Sequence, residues 1–196
     1  MMLTRKRPTF RPAVEGIESR LLLSTVAPPA AVAPPAASAP APRKYNLTRF
    51  PAERRDLSPG EFPNLGRQFE VIAPFSNRYN CIAWSLGHRD RWVSPRLGTA
   101  KNPLSWADKT YAKEGMTRLA TLDTSLQDGV DKVVVYGVVD KKGVVRGVKH
   151  AAVQEEDGTW TSKMGQGGLI RHPTLKAVSG PLYGRPIAVY AEPETA

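Results

Sequence analysis

The segment that most constrains the fold is a β-branched run from Lys132 to Val139, which reads Lys-Val-Val-Val-Tyr-Gly-Val-Val. A run of this composition is typical of a well-buried strand. A turn is predicted at 141–143, followed by a second strand over 144–154 and by shorter strands over 159–163 and 186–191. Together these segments predict an antiparallel meander in the C-terminal half of the chain.

Two helices are predicted before the meander. Asn80 is a good helix N-cap and Gly87 a good helix stop, so a helix of about two turns is expected to begin at Cys81. A second helix is expected to open after Asn102 and to run to about Lys113. Two helices followed by a meander predict an α+β architecture with helices packed on a sheet.

The N-terminal part of the chain is predicted to lie outside the folded domain. Residues 26–42 contain six prolines and eight alanines, so residues 26–44 are expected to form an extended linker. Residues 1–25 form a basic leader whose Arg-Pro and Leu-Leu-Ser pattern resembles a leader on exported proteins of certain bacteria. The alternatives are export or cell-surface display, and a basic tail on a cytoplasmic protein. Residues 45–196 are expected to form a single domain.

The charge distribution argues against nucleic-acid binding. Of the net charge of +10, +6 lies in residues 1–50 and +4 in the other 146 residues. The body is therefore only mildly basic, as a soluble surface requires.

The sequence contains no run of 18 apolar residues, so no membrane span is predicted. The single cysteine excludes an internal disulfide and a cysteine-rich zinc site, and neither a metal nor another cofactor is expected.

Cys81 is the candidate nucleophile. As the first residue of a helix, its thiolate would be stabilised by the positive end of the helix dipole. A general base must come from the three histidines. His88 follows the helix stop and is expected at the surface, and His172 is expected in a loop. His150 lies on a predicted strand between small residues, so it is the candidate base.

The group that would orient the imidazole depends on the length of one loop. If residues 156–158 form a three-residue loop with Gly158 left-handed, Ser162 is a diagonal neighbour of His150 on the same sheet face. If the loop has two residues, Ser162 points away. Gln154, four residues beyond His150 on the same strand face, is the other candidate.

These motifs resemble known proteins. Tyr79-Asn80-Cys81-Ile82-Ala83, followed by His150 and a polar residue twelve positions later, resembles the papain-like NlpC/P60 and CHAP superfamily of cysteine peptidases and amidases. A closer resemblance, to an uncharacterised bacterial family, rests on four segments: Tyr79 to Trp84, His150 to Ala152, Thr159 to Lys163 and Leu182 to Gly184. The superfamily resemblance implies a papain-like, NlpC/P60-type α+β fold, with the nucleophile helix packed on an antiparallel meander.

The same resemblance implies a cysteine hydrolase acting on a peptide or a cell-wall-type amide. Asn80 or the Tyr79 hydroxyl would assist the backbone in stabilising the oxyanion, and Trp84 and Trp160 would line a groove. Two positions depart from the superfamily pattern: Asn80 replaces an aspartate, and Ser162 stands where a histidine or asparagine is expected. A serine is a shorter, weaker orienter. The alternative is therefore a catalytically weak or inactive module that binds a peptide, glycan or protein partner at the cell surface.

Overall fold

The computed structural model describes Leu57 and residues 59–192, which form a seven-stranded antiparallel sheet with two short helices. The predicted leader 1–25, the predicted linker 26–44 and residues 45–56, 58 and 193–196 of the predicted domain lie outside the described residues. No helix in the described part of the chain is long and apolar enough to cross a membrane.

The strands carry most of the regular structure. Strands β1 to β7 cover Glu70–Ala73, Thr117–Arg118, Lys132–Val139, Val145–Gln154, Trp160–Lys163, Leu169–His172 and Arg185–Ala191. Helices α1 and α2 cover Cys81–Ser85 and Ser105–Ala112. The strand order is β1-β6-β5-β4-β3-β7-β2. Strands β3, β4 and β5 follow the predicted meander, which β6 continues, whereas β7, predicted as the last strand of the meander, pairs with the other side of β3.

The predicted papain-like α+β fold, with helices packed on the meander, is wrong. The fold is dominated by its sheet, because α1 has only five residues and α2 only eight. α1 ends before Gly87, whose φ of 75° breaks the helix. Three further strands, β1, β2 and β6, extend the sheet where sequence patterns predicted none.

The β-branched run forms the central strand β3, as predicted. It pairs with β4 on one side and β7 on the other, and Val133 to Tyr136 are fully buried. Its side chains alternate between two cores. Val134 and Tyr136 face the first core, on the side of Phe62 and Trp160. Val133 and Val135 face the second core, which contains residues of α1 and α2.

The β4–β5 hairpin has the longer of the two predicted loops. Val153 pairs with Thr161 and Gln154 with Trp160, which leaves residues 156–158 as a three-residue loop closed by the bond from Glu155 N to Thr159 O. Gly158 has a φ of 77°, in the left-handed region that such a loop requires. The register therefore places Ser162 on the sheet face of His150.

Candidate functional site

The thiol of Cys81 lies against the backbone of β4. α1 begins at Cys81, and the Asn80 side chain caps it by accepting a bond of 3.0 Å from the N–H of Ala83. The buried Sγ lies 4.0 Å from the carbonyl oxygen of Lys149, and the N–H of Ala151 is directed at it. The thiol thus contacts β4 on both sides of His150.

The thiol is protonated at neutral pH. Burial raises the pKa of Cys81 to about 11, and this effect outweighs the nearby N–H groups of Ala151 and Ile82 and the positive charge of Lys163. The N–H groups at the helix start favour the thiolate, but the loss of solvation on burial outweighs them. Reaction at Cys81 requires a base that removes the proton during attack.

His150 is a fully buried imidazole in an aromatic setting. Its ring stacks on Tyr183, with centroids 3.9 Å apart and an interplanar angle of 4°, and meets the edge of Tyr136 at 5.5 Å. Neither ring nitrogen has a hydrogen-bond partner among the described residues. Burial, with a smaller contribution from His172, holds the pKa of His150 well below its usual range, so the ring is neutral. Cys81 and His150 are therefore not hydrogen-bonded to each other in this structure.

Ser162 is bonded to a different histidine. Its Oγ lies 2.9 Å from Nε2 of His172, and Nδ1 of His172 lies 2.9 Å from the carbonyl oxygen of Thr174. A carbonyl only accepts, so Nδ1 donates and Nε2 of the neutral ring accepts from the Ser162 hydroxyl. Burial lowers the pKa of His172 to about 4. Ser162 is on the predicted face but does not orient His150.

His172 was predicted in a loop, yet it ends strand β6 and is fully buried. A sequence signal for the strand was present. Gly167 and Gly168 permit a turn, and the residue before Pro173 is restricted to extended conformations. His88, by contrast, is half-buried near the surface, 3.9 Å from a carboxylate oxygen of Glu114.

Gln154 and Asn80, two predicted site residues, form hydrogen bonds with groups other than Cys81 and His150. Nε2 of Gln154 donates to the carbonyl oxygen of Thr124 at 2.9 Å, so this amide ties a loop to β4 rather than orienting His150. Nδ2 of Asn80 donates to the carbonyl oxygen of Val93 at 2.8 Å, while its Oδ1 caps α1. Asn80 therefore anchors the helix start and the following loop, which is a structural role.

The aromatic candidates differ in exposure. Trp160 is buried in the first core and cannot line a groove. Trp84 is half-buried, donates to Oγ1 of Thr161 at 3.1 Å, and carries the guanidinium of Arg89 4.7 Å above its ring. Tyr79 is buried against Trp84, with ring centroids 6.2 Å apart. Of these three, only Trp84 offers a face to solvent.

Lys163 is a site residue that sequence reasoning missed. It is fully buried, and its ammonium donates to the carbonyl oxygens of Ser76, Gly165 and Gly167 at 2.8, 2.5 and 2.7 Å. The ammonium also lies 5.0 Å from the ring centroid of Tyr79, and burial lowers the pKa of Lys163 to about 8. A lysine at a strand end beside a glycine-rich turn normally points into solvent, so no sequence signal marked it.

The available chemistry is that of a thiol and a neutral imidazole. The thiol can act as a nucleophile once deprotonated, and the unpartnered imidazole can accept a proton. Within the described part of the chain, no group of three or more histidine, cysteine, aspartate or glutamate side chains is arranged to hold a metal ion.

Comparison with protein families places these residues in one unit. The model of a family described as a domain of unknown function (DUF7689) matches residues 70–191. The chain belongs to the DUF7689 family. The match runs from the first residue of β1 to the last residue of β7, so the DUF7689 unit contains the whole sheet, both helices, Cys81 and His150.

Other comparisons add no relatives to the DUF7689 domain. No curated protein and no solved structure matches the chain. None of the comparisons connects the DUF7689 domain with the NlpC/P60 or CHAP families.

Proposed function

We propose that this DUF7689 domain is a cysteine-dependent hydrolase that cleaves an amide bond, with Cys81 as nucleophile and His150 as general base. The observation that carries the proposal is the unpartnered, fully buried imidazole on the strand segment that contacts the thiol. Buried polar atoms are nearly always paired, and each one left unpaired costs about 1–3 kcal/mol. The unpaired His150 ring lies between Lys149 and Ala151, whose backbone atoms contact the Cys81 thiol. A catalytic role explains best why an imidazole is kept there at such a cost.

The proposed reaction begins with proton transfer from Sγ of Cys81 to the neutral imidazole of His150. The sulfur forms a bond to the amide carbon, and the carbonyl electron pair moves to oxygen. Collapse of this intermediate breaks the carbon–nitrogen bond, and the leaving amine takes the proton from the imidazolium. Water, deprotonated by the same imidazole, then attacks the thioester and releases the acid and the thiol.

The surroundings of Sγ favour these steps. The backbone N–H groups of Ala151 and Ile82 are directed at the sulfur, where they stabilise negative charge. The low pKa of His150 leaves the ring unprotonated at pH 7, and it also makes the ring a weaker base than an exposed histidine. The transfer requires a nitrogen of His150 to approach Sγ to about 3 Å, and catalytic hydrogen bonds often reach that length only when substrate is bound.

The test is alkylation of Cys81 by iodoacetamide in the full chain, followed by mass spectrometry between pH 6 and 9. A general base contributes about a hundredfold or more, so His150→Gln is expected to slow alkylation at pH 7 by at least about tenfold. His88→Gln, which changes a histidine near the surface, is the matched control and is expected to leave the rate unchanged. Hydrolysis of a fluorogenic peptide mixture is expected to disappear in Cys81→Ser and His150→Gln. Equal alkylation of wild type and His150→Gln would refute the proposal.

The second candidate is a non-catalytic domain that binds a peptide, glycan or protein. It is favoured by the raised pKa of Cys81 and by its contact with Lys149, which gives the thiol a structural role at the strand edge. This candidate predicts that alkylation follows a single pKa near 11 in every histidine variant. It also predicts that Cys81→Ser keeps its ligand affinity.

A further inference from the structure

An apolar cavity opens on the side of the sheet that holds the first core. Its volume is about 240 Å³, and its lining is chiefly apolar: Phe62, Phe75, Met164, Leu182 and Tyr183, with Gly167 and Glu61 beside them. Phe75 and Leu182 remain 55% and 44% exposed. Large apolar side chains exposed around a concave surface are typical of ligand-binding sites.

Tyr183 connects this cavity with the candidate base. One ring both lines the cavity and stacks on the imidazole of His150. Burial raises the pKa of Tyr183, and its hydroxyl lies close enough to the Glu61 carboxylate and to the Cys81 sulfur for a negative charge on either group to raise that pKa further. The cavity and the Cys81–His150 region are therefore neighbours that share one aromatic wall.

Lys163 provides a second, independent connection. Its ammonium holds the carbonyl oxygens of Ser76, which follows Phe75, and of Gly167, which lines the cavity. The charge of the same ammonium acts on the thiol of Cys81. A buried lysine thus fixes part of the cavity wall relative to the nucleophile.

We propose that this cavity binds an apolar side chain of the amide substrate, aromatic or branched aliphatic, close to the bond that Cys81 attacks. The inference rests on the proposed hydrolase function and names its substrate class. The volume suffices, because an apolar cavity of about 150 Å³ already holds benzene. The Glu61 carboxylate in the lining disfavours an acidic side chain there. The preferred substrate is therefore a peptide amide with a large apolar residue.

The test is reversible binding of small amides to the full chain, followed by nuclear magnetic resonance titration. Burial of a phenyl side chain is expected to make N-acetylphenylalaninamide bind about tenfold or more tightly than N-acetylglycinamide. The amide of N-acetylglutamic acid, which has an acidic side chain, is expected to bind no better than the glycine compound. Leu182→Ser is expected to weaken binding of the phenylalanine compound several-fold. Leu97→Ser, at a leucine that is 47% exposed and does not line the cavity, is the matched control and is expected to have no effect.

Equal affinity for the phenylalanine and glycine compounds would overturn the inference, as would equal effects of the two leucine substitutions. Iodoacetamide alkylation of the same samples separates this result from the hydrolase proposal. If Leu182→Ser weakens binding but His150→Gln leaves the alkylation rate unchanged, the cavity site is supported and the hydrolase proposal is refuted. If His150→Gln slows alkylation but the phenylalanine compound binds no better than the glycine compound, the hydrolase proposal is supported and the cavity site is refuted.

Discussion

Replacing His150 with leucine is expected to stabilise the domain while removing its proposed base. Leucine is close to histidine in volume and has no polar atom to leave unpaired. The imidazole, in contrast, keeps one donor and one acceptor in a site where neither has a partner among the described residues. Stability and function are therefore expected to oppose each other at this position.

The magnitude follows from two opposing effects. Removing two unpaired buried atoms is worth about 2–6 kcal/mol, at about 1–3 kcal/mol for each. Losing the stacked contact with Tyr183 and the edge contact with Tyr136 costs about 1–3 kcal/mol, at about 0.5–1.5 kcal/mol for each aromatic pair. The expected net change in the free energy of unfolding is a gain of about 2 kcal/mol.

Urea unfolding of the full chain at pH 7, followed by tryptophan fluorescence, measures this change. The matched control is His172→Leu, because His172 is equally buried but has both nitrogens bonded, to Ser162 and Thr174. That substitution leaves a hydroxyl and a carbonyl without their partner and is expected to destabilise the domain by about 2–4 kcal/mol. The two variants are thus expected to move in opposite directions.

A loss of stability in His150→Leu comparable to that in His172→Leu would refute the reasoning. It would mean that the His150 nitrogens are satisfied in solution, by ordered water for example, and that the ring is an ordinary structural histidine. The main support for a catalytic His150 would then be gone.

Two further predictions concern buried charge. His150 and His172 have lowered pKa values, so the folded domain binds fewer protons than the unfolded chain. The free energy of unfolding is therefore expected to be highest above about pH 6.5 and to fall as the pH drops towards 4. For His172 alone the expected loss is about 3 kcal/mol. Urea unfolding at pH 7, 5.5 and 4.5 measures this loss, and a flat profile would contradict it. Lys163→Met removes the donor to three carbonyls and is expected to cost about 3 kcal/mol or more, whereas Lys142→Met, at an exposed turn, is expected to cost almost nothing. Equal unfolding midpoints for these two variants would show that the carbonyls find other partners.

The strands with strong local signals were predictable from sequence. Strands β3, β4, β5 and β7 follow from β-branched and alternating segments, whereas the sequence left the length of the hairpin loop open between two and three residues. β1 and β6 have four residues each and β2 has two. β1 and β2 become strands by pairing at the two edges of the sheet, which is a tertiary effect that their local sequence does not record, whereas β6 had the turn and Pro173 signals described above.

The candidate site was predictable only in part. The cap at Asn80 correctly placed Cys81 at a helix start against the strand of His150. The partners of Ser162 and Gln154 were not predicted, because His172 lies on a strand that was expected to be a loop and Thr124 lies in a loop 30 residues from Gln154. The protonation of Cys81 was also missed, since it depends on the depth of burial and not on the position within the helix.

The candidate site at Cys81 and His150 lies next to the point where the pairing between β4 and β5 ends. Only two residue pairs join these strands, and beyond them the backbone of Lys149 and Ala151 meets the thiol of Cys81 instead of another strand. A thiol at 4.0 Å is a weaker partner than a peptide group, and the imidazole between these two residues has no partner among the described residues. A domain selected for stability alone would pair this edge and fill the histidine position with an apolar residue. Both departures fall within residues 149–151, and the proposed hydrolase would account for them together.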